Sequence, residues 1–290
     1  MRRARTNSRT FFAALVLAAL LHSLARPLQA QTVDSLLDQS YHSMYNLQFD
    51  DALKSLEQAK GLDKDDPLPW MAQSCALLFR EFDRLHILTS EMFTSDERFN
   101  ARSSHSWDPA SRQQFEGALN AAEKLAQQRL SRDHNDTRAL FALTISNGLR
   151  ADDAALIAKK NLNALSYTKS AENYAERLLA LAPGYYDAYV ATGMGKYIIG
   201  GKAAPVRWIL RLGGLKGDQD EGIRELKLVA DHGHYLAPFA RILLTFDDMR
   251  HKNTADARKR LASLSEQFPN NPHFPEELVK LDRPGISTGQ

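Results

Sequence analysis

The 290-residue sequence contains a single cysteine, Cys75, which excludes a scaffold of intramolecular disulfides. Its mean hydropathy of −0.41 argues against a polytopic membrane protein. Global disorder is excluded, because 43% of the residues are hydrophobic and can bury enough surface to offset the ordering entropy. Cys75 lies in an apolar stretch with helical spacing, residues 70–79, and is predicted to be a small core residue.

Acidic residues are missing from positions 1–30. The segment opens with the bases Arg2, Arg3, Arg5 and Arg9. An apolar run from Phe11 to Leu21 follows, and the small residue Ala30 stands at the exit. Residues 1–30 are therefore predicted to be a secretory signal peptide, cleaved near Ala30, which would make the mature protein periplasmic or secreted. The alternative is a retained N-terminal anchor, although the apolar run is shorter than the roughly twenty residues that span a bilayer.

The chain as a whole has little excess of either charge, with 37 Lys and Arg against 35 Asp and Glu. Without the five arginines of residues 1–30, the net charge changes from +2 to −3. Five bases lie in residues 188–217, a segment with no acid. The mature chain is therefore mildly acidic with one basic segment, and no nucleic-acid partner is expected.

Strict alternation of apolar and polar residues, which is typical of strands, is almost absent after Gln31. Apolar residues instead recur at spacings of three and four, with proline or Asn-Asn breaks between the runs. The predicted helices are 33–47, 49–62, 67–89, 110–131, 136–149, 152–182, 185–199, 205–212, 218–232, 235–249, 254–267 and 273–281.

A short pattern recurs in alternate helices: a small residue, an apolar or small residue four positions later, and another three further on. Its copies are Ala52-Leu56-Ala59, Ala171-Ala175-Leu178, Gly222-Leu226-Val229 and Ala257-Leu261-Leu264, with a weak copy at Ala122 and Ala126. A proline follows the leading alanine by 12 residues in the copies that begin at Ala171 and Ala257. Small residues let two helices cross closely, and proline stops a helix before the next unit begins.

These residues resemble the tetratricopeptide-repeat (TPR) family, whose unit is a helix–turn–helix of 34 residues. Tyr189, Thr192 and Gly193 stand where the family prefers Trp, Leu and Gly in its first helix. The resemblance is degenerate; it is good over 33–67 and 165–270 and poor over 68–164. It implies an all-α fold, a TPR-like α-solenoid of antiparallel helix pairs over residues 31–282, followed by a flexible tail, 283–290. Irregular insertions are expected at Phe93–Asp108 and Gly200–Gly217, and helix 152–182 would be twice as long as a repeat helix.

The basic segment supplies the candidate partner-binding residues. They are Tyr189, Lys196, Tyr197, Lys202, Arg207, Trp208, Arg211 and Lys216. A cationic, aromatic surface of this kind suits a carboxylate, a phosphate or an anionic lipid surface. The alternative is that the apolar residues cap the next repeat while the bases form a solvated face.

Chemistry of other kinds has little support. His232 and His234 form the only close histidine pair, but no second ligand cluster accompanies them, and Gly233 between them suits a helix end. The acid pairs Asp50-Asp51, Asp65-Asp66 and Asp152-Asp153 are predicted to cap helices, whereas Asp247-Asp248, near a helix end, has no such explanation. No catalytic residue, metal site or cofactor is predicted.

The resemblance implies an exported, non-catalytic scaffold for a protein or peptide partner, an anionic one if the basic segment takes part. The alternative is an assembly factor that contacts the membrane surface peripherally through residues 196–216 or through a retained N-terminal anchor. The oligomeric state is left open.

Overall fold

The computed structural model describes residues 31–87, 89–94, 97, 103–202, 214 and 217–282. Over these residues the chain is helical and contains no strand, so the predicted all-α class is confirmed. The α-helices are α1 (Val33–Tyr45), α2 (Phe49–Leu62), α3 (Leu68–Arg84), α4 (Ser90–Thr94), α5 (Pro109–Arg132), α6 (Thr137–Asp152), α7 (Asn161–Leu181), α8 (Tyr189–Gly200), α9 (Gln219–His232), α10 (Ala237–Arg250), α11 (Thr254–Gln267) and α12 (His273–Asp282). A π-helical turn, Asp153–Ile157, follows α6, and a 3₁₀ turn, Tyr186–Ala188, precedes α8.

The helices pack as consecutive pairs: α1 with α2, α3 with α5, α6 with α7, α8 with α9, and α10 with α11, while α12 packs on α11. We call α1, α3, α6, α8, α10 and α12 the first helices, and their partners the second helices. This arrangement confirms the predicted TPR-like solenoid.

The small residues of the recurring pattern lie where paired helices cross. A Cβ atom on Gly222 of α9 would stand 2.7 Å from the carbonyl oxygen of Gly193 on α8. Ala52 and Ala257, which lead two other copies, are fully buried. Glycine and alanine thus let the paired backbones approach closely, which explains why the pattern recurs.

Three first helices end in the same left-handed turn, although none of the turns contains glycine. Leu47, His86 and Lys252 have φ values of 59°, 53° and 61° after α1, α3 and α10. After α3, the Ile87 N–H donates to Phe82 O and the His86 N–H to Asp83 O, which is the Schellman arrangement. The predicted helix 67–89 is therefore too long, since α3 ends at Arg84.

The predicted single helix 152–182 is wrong. The chain leaves α6 through the π-helical turn, bends at Lys159, where φ is 53°, and starts α7 at Asn161. Asp153 fixes the bend, because its carboxylate accepts hydrogen bonds from Trp107 Nε1 at 2.7 Å and from Arg112 at 2.8 Å. The break thus depends on contacts with residues more than 40 positions away.

Several expectations concern parts of the chain outside the described residues. These parts are the signal segment 1–30, the predicted helix 205–212, the tail 283–290 and portions of both insertions. In the described part of the chain, no helix has the length and apolar character needed to cross a membrane. Cys75 is buried as expected, and burial raises the pKa of its thiol to about 12.

Candidate functional site

The two ends of the helical array touch each other. The Tyr45 hydroxyl on α1 donates to the carbonyl oxygen of Tyr235 at 2.9 Å, just before α10. Asn271, before α12, donates from Nδ2 to the carbonyl oxygen of Tyr45 at 2.9 Å. The rings of Tyr41 and Tyr235 stack with their centroids 4.8 Å apart. These contacts join residues about 190 to 226 positions apart and close the array on itself.

A second set of contacts closes the same face between α3–α4 and the C-terminal helices. The rings of Phe79 and Phe239 meet edge to face at 5.8 Å. Ser90 donates to Glu277 Oε2 at 2.5 Å. Because the ends meet in this way, the first helices surround an interior space instead of lining an open groove.

That interior space is an apolar cavity of about 290 Å³, near the lower limit of ordinary small-molecule pockets. All six first helices contribute to its wall. Its apolar lining includes Met44, Phe79, Phe82, Ile145, Leu149, Val190, Met194, Phe239, Leu243, Phe246 and Phe274. Ile198 also lines it and is 42% exposed, so the cavity reaches the surface at the C-terminal part of α8.

The cavity also has a few polar residues, and most of them are already bonded. Thr144, Thr168 and Thr245 donate to carbonyl oxygens four residues earlier in their own helices. Asp152, the last residue of α6, lines the cavity without a hydrogen bond or ion pair to any described residue. Burial, and to a lesser degree the charge of Asp153, raises the pKa of Asp152 to about 7.

The structure places four of the eight predicted partner-binding residues. Lys196 on α8 lies 2.5 Å from both Glu221 Oε1 and Glu225 Oε1, so two carboxylates neutralise it. Burial opposes the charge of Lys196, but these hydrogen bonds outweigh it and raise its pKa. The Tyr197 hydroxyl donates to Asp247 Oδ1 at 2.9 Å.

Of the other six predicted residues, two lie in the described part of the chain and four outside it. Tyr189 is half-buried, and its hydroxyl reaches the carbonyl oxygen of Pro183 at 3.4 Å. Lys202 is exposed. Arg207, Trp208, Arg211 and Lys216 lie outside the described residues. A continuous cationic surface across all eight residues therefore stays a prediction.

His232 and His234, the close histidine pair, contact different residues. His234 Nε2 lies 2.7 Å from Asp38 Oδ1, whereas the ring of His232 lies 4.9 Å from the ring of Tyr186. No group of three His, Cys, Asp or Glu side chains suitable for a metal occurs in the described parts of the chain. Gly233 does follow α9, but its φ is −62°, so it does not need a left-handed conformation. A Cβ there would instead stand 2.7 Å from Asp187 Oδ1.

The acid pairs have more varied roles than capping. Asp66 Oδ1 accepts the Leu68 N–H at 3.0 Å, in agreement with the capping prediction. The prediction is wrong for Asp152-Asp153, which lie at a helix C-terminus and in the following π-helical turn. Asp247-Asp248 is now explained: Asp247 accepts from Tyr197, and Asp248 lies 2.9 Å from Arg260 of α11.

Sequence reasoning missed the cavity. One sequence pattern could have indicated it: residues 139–146 are apolar except for a threonine and a serine, so this part of α6 has no polar face. In the structure, Ala139–Ser146 are all buried. A helix that is apolar on all sides is surrounded by other helices, which an open array does not provide for a first helix.

No protein-family model and no curated relative matches the sequence. Among solved structures, a thermophilic TPR protein from Thermus thermophilus is similar with a TM-score of 0.43 and 14% identity, over 80% of this chain and 90% of that chain.

Proposed function

We propose that this chain is an exported, non-catalytic, TPR-like protein whose work is to bind a small apolar molecule in its interior cavity. The observation that carries the proposal is the convergence of all six first helices on one apolar space, closed by contacts between the two ends of the array. Burying an apolar molecule there gains roughly 25 cal/mol for each Å² removed from water.

The same geometry also limits where a protein partner could bind. A peptide in the concave face would need an open groove, whereas that face encloses about 290 Å³. A protein partner would therefore bind on the outer surface of the solenoid, and ligand binding in the cavity is the function that the geometry supports best.

Diphenylhexatriene tests the cavity directly, because this apolar rod carries no hydrogen-bond donor and fluoresces only in an apolar environment. Gly148 lines the cavity, and no atom lies within 4 Å of a Cβ built on it, so Gly148→Leu would fill the space. The matched control is Gly117→Leu, at an exposed position of α5 where a Cβ also has open space.

We expect saturable fluorescence with residues 31–290 and with Gly117→Leu, and its loss with Gly148→Leu. Circular dichroism must show that both variants are folded. Absence of saturable binding to the wild-type chain, or equal binding by Gly148→Leu, would overturn the proposal.

Export is tested on the full-length chain expressed in a Gram-negative host. Mass spectrometry of the periplasmic fraction is expected to find a protein that begins within a few residues of Gln31, because cleavage is expected near Ala30. A chain that keeps Met1 and stays in the membrane fraction would contradict cleavage and favour the retained anchor.

A further inference from the structure

Among the described residues of the cavity lining, one side chain has hydrogen-bonding capacity that is unused. Asp152 has no hydrogen bond or ion pair to the described residues, although it borders the cavity from the end of α6. The other carboxylate in the described lining is Glu277, which accepts from Ser90 and from Lys280. Asn271 is also satisfied, since it donates to the carbonyl oxygen of Tyr45 and accepts from the His273 N–H.

The charges of the lining select against acids. Among the described residues that line the cavity there is no lysine or arginine, and the histidine among them, His273, is paired with Asp83 at 2.9 Å. A fatty acid or a phosphate ester would therefore bring a second negative charge next to Asp152 with no cation to offset it. A buried charge without a partner is costly, whereas an ion pair reinforced by hydrogen bonds is favourable.

The surroundings of Asp152 disfavour the ionised form of its carboxyl group. Burial raises its pKa, and Asp153, the next residue, adds to the effect. The nearby thiol of Cys75 on α3 is neutral, because burial raises its pKa as well. Nothing among the described neighbours therefore supplies the positive charge that an ionised Asp152 needs.

From this arrangement we propose that the ligand of the cavity is an apolar amine, whose ammonium group pairs with the Asp152 carboxylate while its apolar body fills the space between the first helices. The inference rests on the proposed function, because it names the ligand class of the same cavity. It differs in being carried by Asp152 and by the absence of lysine and arginine from the described part of the lining, not by the cavity's size.

Three ligands with the same eight-carbon chain separate the polar groups: octylamine, 1-octanol and octanoate. Each is titrated into residues 31–290 at pH 8 by calorimetry and is also tested for displacement of diphenylhexatriene. We expect octylamine to bind at least about tenfold more tightly than octanoate, which corresponds to about 1.4 kcal/mol.

Asp152→Asn keeps the shape of the side chain and removes its charge, so it should lower octylamine affinity about tenfold or more and leave diphenylhexatriene binding unchanged. Asp256→Asn is the matched control, since it removes the same charge at an exposed position of α11 outside the cavity lining. It should keep the preference for octylamine.

Equal octylamine affinity in the wild type and in Asp152→Asn would overturn the amine assignment, as would octanoate or octanol binding as tightly as octylamine. In either case, retained diphenylhexatriene binding would leave the proposed function standing. Absence of diphenylhexatriene binding to the wild-type chain would overturn both the proposed function and the amine assignment.

Discussion

The buried and partly buried carboxylates of the described residues fall into two groups according to their hydrogen-bond donors. Asp66 is 2% exposed and receives hydrogen bonds from Arg138 at 2.6–2.9 Å. Asp187 accepts two backbone N–H groups at the start of α10. Asp152 and Glu172 have no comparable donors in the described chain, and burial raises the pKa of each to about 7. The first group joins neighbouring repeats, whereas the second carries a cost at neutral pH.

Glu172 does not line the cavity, and the cost of ionising it in the folded chain can be measured. Its pKa is raised first by burial and next by the charge of Glu176, and Lys196 offsets only part of the shift. The unfolded chain loses this proton near the ordinary glutamate value, about 4.3, and the folded chain near 7. The stabilising contribution of Glu172 is therefore greatest below about pH 4 and is lost as the pH rises to 7.

Glu172→Gln should remove this part of the fall. We expect its free energy of unfolding to exceed that of the wild type by about 1 kcal/mol at pH 8 and to equal it near pH 4, a modest value because the side chain is only partly buried. Urea denaturation at several pH values measures it. Glu266→Gln, at an exposed site on α11, is the control and should leave the pH profile unchanged; a Glu172→Gln profile parallel to wild type would contradict the argument.

At the scale of the element, the crossing of α8 and α9 depends on two glycines. A Cβ on Gly222 would lie 2.7 Å from Gly193 O and 2.7 Å from Tyr197 N, which are backbone atoms that cannot rotate away. The pair keeps this crossing although the segment from Gly201 to Asp218 separates its helices in the chain.

Gly222→Ala should therefore lower the free energy of unfolding by about 2–3 kcal/mol, the range expected for overpacking. Gly117→Ala, in an exposed turn of α5 with open space around a Cβ, should raise it by about 0.5–1 kcal/mol, because alanine favours the helix. Thermal and urea denaturation measure both. A stabilised Gly222→Ala would mean that the helices are not in close contact at this point.

Local patterns predicted these elements well, because helix periodicity and helix-crossing residues depend on near neighbours in sequence. The positions of α2 and α11 agree with the predicted 49–62 and 254–267. The break after α6 could not be predicted in this way, since Trp107 and Arg112 fix Asp153 across the fold. The basic segment indicated Lys196 and Tyr197 as candidate partner-binding residues, and their contacts with acids on α9 and α10 could not be predicted from near neighbours in sequence.

At the scale of the whole molecule, contact between the ends distinguishes this chain from an open array. In an open solenoid each repeat contacts only its neighbours, so the terminal repeats unfold separately. Here α1 and α12 are joined by residues about 226 positions apart, a separation that no repeat period reveals. The cavity, and the site at Asp152, depend on this closure, which is why the sequence pattern predicted a solenoid of helix pairs but not the enclosed space within it.

Asn271 is the residue on which the closure can be tested. It is 5% exposed; its Nδ2 donates to Tyr45 O at 2.9 Å, and its Oδ1 accepts the His273 N–H at 3.0 Å. Asn271→Ala leaves both backbone groups without these partners and should lower the free energy of unfolding by about 2–3 kcal/mol. Asn135→Ala, in the exposed turn between α5 and α6, should change it by less than about 0.5 kcal/mol.

Hydrogen exchange then shows whether the ends unfold together. If closure couples them, Asn271→Ala should speed amide exchange in α1 and in α11–α12 by similar factors, because loss of either end exposes the other. Diphenylhexatriene binding should weaken in parallel, since the same contacts close the cavity. Faster exchange confined to α12, with α1 and probe binding unchanged, would show that the chain behaves as an open array whose ends touch without mutual stabilisation.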